Sequence, residues 1–113
     1  MTTTYTIGAS TGPDETTTIV GNKGAEFITV GTLDADGNVQ FTGDTTVFAF
    51  GGNDDVRTGS GQDVLVGGAG NDYLQAGAGD DALFGQDGND NMRGGDGNDM
   101  LAGGGENDYL DGG

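Results

Sequence analysis

The chain of 113 residues has the length of a single domain, and it contains 19 acidic residues, 3 basic residues and 26 glycines. Its net charge of −16 excludes nucleic acid and anionic membrane surfaces as partners and favours cations. The lack of Cys and His excludes disulfides, thiolate and imidazole chemistry, and the usual zinc and copper sites. No apolar run reaches the roughly 20 residues of a membrane span.

The composition by itself favours a disordered chain, because 32% hydrophobic residues and a high net charge leave little material for a core. The N-terminal residues MTTTYTIGAS have neither the charged nor the apolar region of a cleavable signal peptide. If the protein is exported, we therefore expect a route that needs no such signal. A regular sequence pattern is needed to overturn the expectation of disorder.

Residues 1–48 are rich in Thr and β-branched side chains and predict an N-terminal β segment or cap. The candidate strands are TTTYTI at 2–7, TTTIV at 16–20, EFITV at 26–30, NVQF at 38–41 and TTVFAF at 45–50. The stretch DADGN at 34–38 is similar to the start of an EF-hand loop. However, Val39 stands where that loop needs Gly, and Thr45 stands where it needs an acid. We therefore predict a hairpin turn there.

Residues 49–113 consist of a nine-residue repeat and predict a second region. The seven units are AFGGNDDVR, TGSGQDVLV, GGAGNDYLQ, AGAGDDALF, GQDGNDNMR, GGDGNDMLA and GGGENDYLD, and two further glycines begin an eighth. Position four is Gly in every unit except the last, which has Glu106. Position six is always Asp: Asp54, Asp63, Asp72, Asp81, Asp90, Asp99 and Asp108. Position eight is always apolar: Val56, Leu65, Leu74, Leu83, Met92, Leu101 and Leu110.

The block before the first unit, QFTGDTTVF at 40–48, is a weaker version of the same pattern. It keeps Gly43 and Val47 at positions four and eight but has Thr45 at the Asp position. Terminal repeats of solenoid proteins are often atypical in this way. We therefore predict that this block forms a degenerate first rung of the repeat.

The period of nine predicts an all-β parallel solenoid. One apolar residue in nine is too sparse for a helix face or an ordinary amphipathic strand. It fits a short strand whose middle residue points inward, followed by a Gly-rich turn, so that two units make one coil of about 18 residues. Successive coils stack about 4.8 Å apart. The apolar residues then form a thin core, and the Asp residues form one column along each edge.

Such columns of carboxylates need a counter-ion. Two carboxylates about 5 Å apart repel each other by roughly 1 to several kcal/mol, depending on the local dielectric. A divalent cation between them reverses that sign, and backbone carbonyls can complete the 6–8 oxygen ligands of a hard ion. Seven buried aliphatic side chains cannot offset the conformational entropy of the repeat. We therefore predict that metal binding contributes to the free energy of folding.

The repeat resembles the RTX nonapeptide G-G-x-G-x-D-x-U-x, a Ca²⁺-binding β-helix repeat. The units GGAGNDYLQ and GGDGNDMLA agree with that pattern at every defined position. The resemblance implies a right-handed parallel β-roll with about 18 residues per coil, preceded here by the short N-terminal cap. It also implies an exported bacterial protein, since family members are toxins, proteases, lipases, epimerases and adhesins that leave by type I secretion.

The resemblance further implies about five complete Ca²⁺ sites, each between turns two repeats apart. The earlier turn would contribute its Asp and the carbonyls at positions two and four, and the later turn its Asp and the carbonyls at positions one and three. The implied carbonyl ligands are Phe50, Gly52, Gly59, Gly61, Gly67, Gly68, Ala69, Gly70, Ala76, Gly77, Ala78, Gly79, Gly85, Gln86, Asp87, Gly88, Gly94, Asp96, Gly103 and Gly105. Phe50 and Gln86 depart from Gly at position two, and Glu106 departs at position four, where a strained φ costs about 1 kcal/mol.

Positions seven and nine point outward, and they differ between alternate repeats. Even repeats carry apolar residues there: Val64, Val66, Ala82, Phe84, Met100 and Ala102. An exposed apolar face marks a contact, and two interpretations stay open: residues 1–48 fold back over Val66 and Phe84, or a partner or second copy covers them. The chain stops in mid-turn after Gly113, which suggests either an excised fragment or a roll end that stacks on another molecule.

We therefore expect a secreted, extracellular or cell-surface calcium-binding module that folds on binding Ca²⁺, with no catalytic residues. One alternative is an accessory segment of a larger type I-secreted enzyme, toxin or adhesin. The other is a surface or matrix protein that assembles end to end with Ca²⁺. The expected partners are calcium and further copies of the chain, without nucleic acid or a membrane span.

Overall fold

The computed structural model describes residues 3–7, 17–30, 32–33, 36, 39–40 and 43–113. These residues contain strands but no helix, and hence no helix long and apolar enough to cross a membrane. The strands are β1 (Thr3–Ile7), β2 (Thr17–Val20), β3 (Glu26–Val30), β4 (Thr32–Leu33), β5 (Val39–Gln40), β6 (Thr45–Gly51), β7 (Asp55–Arg57), β8 (Val64–Ala69), β9 (Tyr73–Ala78), β10 (Ala82–Asp87), β11 (Asn91–Asp96), β12 (Met100–Gly104) and β13 (Tyr109–Asp111).

The strands form two parallel sheets that face each other across the core. One sheet has the order β1-β3-β7-β9-β11-β13, and the other has the order β12-β10-β8-β6-β2. Within the repeat, each residue pairs with the equivalent residue two units later, as in Tyr73 with Asn91 and Val64 with Ala82. The position-eight residues of successive units therefore lie alternately in the two sheets. The prediction of an all-β parallel solenoid with 18 residues per coil is confirmed. The hydrogen bonds between aspartates of neighbouring coils likewise join residues 18 positions apart in the sequence.

Position-eight side chains form most of the core, together with Ile19, Val30, Ala49 and Ala76. Val56, Leu65, Leu74, Leu83 and Met92 are completely buried between the two sheets. The burial decreases towards the last coil, where Leu101 is partly buried and Leu110 is 48% exposed. In β7 to β11 each buried position-eight residue has a less buried neighbour on either side, as the nine-residue pattern predicts.

The described N-terminal strands continue the same stack of coils. Strand β2 pairs with β6, β3 pairs with β7, and β1 pairs with β3, all in parallel. Since β1, β2 and β3 lie in the planes of the sheets, the interpretation that they fold over Val66 and Phe84 is wrong for these strands. The division of the chain at residue 48 stays a prediction, because strand pairing runs across it.

Two further predictions for the N-terminal half are confirmed. Residues 45–48 form the degenerate rung: Val47 is completely buried, and β6 pairs with β8 so that Val47 lies beside Leu65. Strands β4 and β5 pair antiparallel, with Thr32 beside Gln40, as expected for a hairpin around 34–38. Most of that turn lies outside the described residues.

Candidate metal centre

The turns bring backbone carbonyls of successive coils close together. At position four, Gly70 has a φ of 127°, and a Cβ atom there would overlap the carbonyl oxygen of Gly52 in the coil above. Only glycine combines that backbone conformation with so close an approach. The glycines of the repeat are therefore explained by the stacking of turns as well as by the turn geometry.

Three non-glycine residues also have a positive φ, smaller than that of the glycines: Phe50 with φ 79°, Gln86 with φ 85° and Glu106 with φ 74°. They occupy positions two and four, where the other units have Gly. The strain expected at Glu106 is therefore present, and Phe50 and Gln86 share it. An L-residue in this region costs about 1–2 kcal/mol, which the rest of the coil must offset.

The strand register aligns the predicted carbonyl residues of neighbouring coils. At position two, Phe50 lies beside Gly68, and Gln86 lies between Gly68 and Gly104. At position three, Asp87 lies beside Ala69. The aligned pairs on the other edge are Gly77 with Gly95, Ala78 with Asp96, and Ser60 with Ala78. The structure therefore brings these residues together, while their role as metal ligands stays a prediction.

The Asp columns are held by backbone hydrogen bonds between coils. The backbone N–H of each Asp donates to Oδ1 of the equivalent Asp in the next coil of the same column. The five bonds join Asp54 to Asp72 at 2.9 Å, Asp63 to Asp81 at 2.8 Å, Asp72 to Asp90 at 2.9 Å, Asp81 to Asp99 at 3.0 Å, and Asp90 to Asp108 at 3.0 Å. These are the same five pairs for which the resemblance implies Ca²⁺ sites.

In six of these residues the second carboxylate oxygen is buried and has no hydrogen-bond partner. The buried oxygens without a partner are Oδ2 of Asp54, Asp63, Asp72, Asp81, Asp90 and Asp99. A Cβ atom on Gly67 would overlap Oδ2 of Asp72, so that oxygen points to position one of its own unit. A buried polar atom left without a partner costs about 1–3 kcal/mol, and more when it is charged. Six such oxygens in register are therefore available as ligands for cations along the two edges.

The electrostatics of the columns lead to the same conclusion. Burial raises the pKa of Asp54 from 3.8 to about 7, and it raises the pKa of Asp72 and of Asp81 to about 6. Burial also raises the pKa of Asp63 and Asp90. The backbone hydrogen bonds oppose this shift, and the neighbouring carboxylates add to it by a smaller amount than burial. The main obstacle to the columns is therefore loss of hydration, where the sequence had suggested repulsion between neighbours.

The atoms around these pairs are oxygens, which suit a calcium ion. The described residues contain no cluster of three or more acidic side chains, so a metal here needs carbonyl oxygens as well. The carbonyl oxygen of Ala69 accepts a hydrogen bond from the N–H of Gly52 at 2.9 Å, and its second lone pair stays available. Two carboxylates with several carbonyls fit the 6–8 oxygen ligands that Ca²⁺ prefers.

Sequence reasoning missed one buried acid in line with these columns. Glu26 is 1% exposed, and its N–H donates to Oδ1 of Asp54 at 2.8 Å. The signal was present, because residues 21–29 (GNKGAEFIT) have Gly at positions one and four and Ile28 at position eight. It was hidden because this unit precedes the next unit in its sheet by 28 residues, whereas the other units of a sheet are 18 residues apart. On the other edge Thr45 occupies the equivalent place, and its N–H donates to Asp63 Oδ1 at 2.7 Å.

Comparison with known protein families agrees with the geometry. The family model of the RTX calcium-binding nonapeptide repeat matches four times, at residues 42–65, 48–83, 57–92 and 84–113. No curated protein and no solved structure matches the chain. The matched residues cover more than half of the sequence and include all seven position-six aspartates. The chain therefore belongs to the RTX calcium-binding nonapeptide repeat family, and its β-roll is a calcium-binding module.

Proposed function

We propose that the protein is a structural module whose β-roll folds when a row of Ca²⁺ ions binds between turns two repeats apart. The observation that carries this proposal is the set of buried Oδ2 atoms without a partner along both edges. Each ion would take one carboxylate from each Asp of a pair, together with carbonyl oxygens of the two turns. The proposal involves no catalytic group.

The position of the ions would make folding depend on calcium. Without Ca²⁺, the roll buries carboxylates whose charged form has lost its hydration, and the small apolar core offsets little of that cost. With Ca²⁺, the same carboxylates become ligands and the binding free energy contributes to folding. The middle aspartates, such as Asp72 and Asp90, belong to two pairs each, so neighbouring sites would bind cooperatively.

We further propose that the protein works outside the cell. The family consists typically of secreted proteins, and extracellular calcium sites operate at roughly 10⁻⁴–10⁻³ M. At cytosolic calcium concentrations the chain would stay unfolded, which suits export of an extended polypeptide. A structural part within a larger exported enzyme, toxin or adhesin would use the same residues in the same way. A long additional domain in the full gene product would favour that version.

Circular dichroism with and without a chelator tests the central proposal. In excess EGTA we expect the spectrum of an unfolded chain, and on adding excess Ca²⁺ we expect a β spectrum that EGTA reverses. Mg²⁺ at the same concentration should be much less effective, because it requires near-octahedral geometry and retains its waters. Identical spectra in EGTA and Ca²⁺ would exclude calcium-dependent folding.

A second candidate function is self-association through the outer face of the five-stranded sheet. Val20, Phe48, Val66 and Phe84 lie side by side along this face, since each pairs with the next in register. Val20 is 57% exposed and Phe48 is 38% exposed. Val66 and Phe84 are partly exposed. An apolar column at the surface of a highly charged protein is typical of a contact surface.

Sedimentation velocity in saturating Ca²⁺ tests this second function. We expect Phe48→Thr to weaken an association that the wild-type chain shows. Phe27→Thr is the matched control, because Phe27 is 52% exposed on the other sheet. A wild-type chain that stays monomeric at high concentration, or equal loss in both variants, would rule out this surface.

A further inference from the structure

The turn before β3 has the construction of a calcium-binding repeat, although it lies outside the matched residues 42–113. In the unit 21–29, Ile28 at position eight is completely buried in the core. Glu26 takes the position of the repeated Asp and is itself buried. Strand β3 pairs with β7 so that Ile28 lies beside Val56. The unit is therefore one coil above the first predicted site, on the edge that carries Asp54.

The backbone connections between this turn and the next coil are those of the repeat. The N–H of Glu26 donates to Asp54 Oδ1 at 2.8 Å, as the N–H of Asp54 does to the next Asp in the column. The N–H of Gly51 donates to the carbonyl of Asn22 at 3.2 Å, and Gly105 and Gln86 make the same contact in the last coils. The offset between the two rungs is 28 residues instead of 18, because the β4–β5 hairpin is inserted between them.

The free oxygens also match those of the repeat. Glu26 Oε1 accepts a hydrogen bond from the N–H of Asn22 at 2.7 Å, while Oε2 is buried without a partner. A Cβ atom on Gly21 would overlap this Oε2 and lie 2.7 Å from the carbonyl oxygen of Ala49. The unpaired carboxylate oxygen and a carbonyl of the following coil therefore converge at this turn.

One of the predicted sites provides a direct comparison for this convergence. A Cβ atom on Gly85 would overlap Oδ2 of Asp90 and lie 2.7 Å from the carbonyl oxygen of Gly103. The same pair of atoms, one carboxylate oxygen and one position-one carbonyl of the next coil, thus surrounds the first glycine of both turns. The longer side chain of Glu26 reaches this place while its other oxygen binds its own turn.

We propose that Glu26 and Asp54, with carbonyl oxygens of their two turns including that of Ala49, form an additional Ca²⁺ site. This inference rests on the proposed function, in which the aspartates of the column are ligands. Asp54 would then belong to two sites instead of one. The other edge gains no such site, because Thr45 has no carboxylate. The edge that carries Asp54 already has three of the five predicted sites and would then have four, against two on the other edge. The calcium-dependent fold would also extend to the N-terminal coil.

The number of ions bound to the full chain tests the inference, measured by equilibrium dialysis with Ca²⁺ and by native mass spectrometry. We expect Glu26→Gln to bind one ion fewer than wild type. Glu106→Gln is the matched control, since it removes an identical charge from an exposed side chain at an existing turn, and it should leave the number unchanged. Equal numbers in wild type and Glu26→Gln would overturn the inference while leaving the proposed function intact. A wild-type chain that binds no Ca²⁺ would overturn both.

A second pair of variants decides the matter even if Glu26→Gln does not fold. With the additional site, Asp54→Asn should lose two ions, whereas Asp108→Asn should lose one. Without it, each variant should lose one. Glu26→Asp retains a carboxylate and restores the residue type of the other rungs, so we expect it to keep the wild-type number. Equal losses for Asp54→Asn and Asp108→Asn would contradict the inference.

Discussion

The interior column and the edge columns of the roll are built from the same repeat but differ in how well their groups are satisfied. Interior residues such as Leu74 and Leu83 are completely buried against one another and need no further partner. Edge residues such as Asp72 are buried almost as well, yet each retains one carboxylate oxygen without a hydrogen bond. The interior side chains thus need no group from outside the chain, whereas in the proposed function a cation would bind the free carboxylate oxygens of the edges.

The interior column and the edge columns therefore have different roles, namely fixing the strand register and controlling stability, which a single core combines in most proteins. The interior column fixes the strand register, because a slip of one residue would turn every position-eight side chain outward. In the proposed function, the edges would set the calcium concentration at which that register is stable. A protein with a larger core would fold with or without the ion, whereas a thin core would make the fold depend on calcium.

The largest effect is expected from the middle of an edge column. Asp72→Asn keeps an oxygen that can accept the hydrogen bond from Asp54 N–H, but it removes the charge from a residue shared by two predicted sites. We expect two ions fewer and a midpoint of calcium-induced folding at least ten-fold higher. Isothermal titration calorimetry and circular dichroism measure both. Asp96→Asn, which removes an exposed charge, should shift the midpoint little. Equal shifts in the two variants would contradict a special role for the buried carboxylates of the edge columns.

The interior column gives the next largest effect. Leu74→Ala removes a completely buried side chain and should lower the free energy of unfolding in saturating Ca²⁺ by about 2–5 kcal/mol. Leu110→Ala makes the same change where the side chain is 48% exposed, and it should cost much less. Urea denaturation measures both. The number of bound ions should stay the same in each variant, because neither residue lies on an edge.

The behaviour without calcium should depend on pH in the direction set by burial. The pKa of Asp54 is about 7 and those of Asp72 and Asp81 are about 6 in the roll, against 3.8 in an unfolded chain. The roll therefore binds more protons than the unfolded state. Its stability is greatest below about pH 4 and is lost as the pH rises through about 6–7.

In chelator, lowering the pH from about 8 to about 4.5 should consequently make the chain more compact. Size-exclusion chromatography and circular dichroism measure this change. Asp72→Asn should move the midpoint to higher pH, since one buried charge is already absent, and the exposed Asp96→Asn should not. A chelated chain that expands on acidification would show that the buried carboxylates do not control folding.

Sequence periodicity predicted the coil length, the inward leucines and the Asp columns, because each follows from a spacing of nine. It could not predict the hydrogen bond from each Asp N–H to the Asp of the next coil, which depends on side-chain rotamer. The repeat pattern did not identify Glu26 as an equivalent of the aspartates, because the β4–β5 hairpin shifts its unit out of phase with the repeat. The sequence also could not show that burial raises the pKa of these carboxyl groups more than repulsion does. That result depends on how deeply Asp54 and its neighbours lie in the turn.

The smallest effect concerns a turn where the residue type and the backbone conformation disagree. Gln86 has a φ of 85°, and its exposed side chain has the neighbouring Gly68 and Gly104 on either side in the sheet. Gln86→Gly should relieve the strain of the left-handed conformation. That relief exceeds the entropy that glycine adds to the unfolded chain, so we expect a stabilisation of about 0.5–1 kcal/mol.

Thermal unfolding in saturating Ca²⁺ measures this small change. Gln75→Gly is the matched control, because Gln75 lies within β9 and has no positive φ. There the substitution relieves no strain. The added chain entropy should destabilise the roll by about 0.5–1 kcal/mol, and loss of the hydrogen bond that Tyr73 Oη donates to Gln75 Oε1 at 3.1 Å acts in the same direction. Opposite signs for the two variants would show that the repeat prefers glycine at position two for its backbone conformation. Destabilisation of the same size in both would mean that the side chain of Gln86 contributes more than its strain costs.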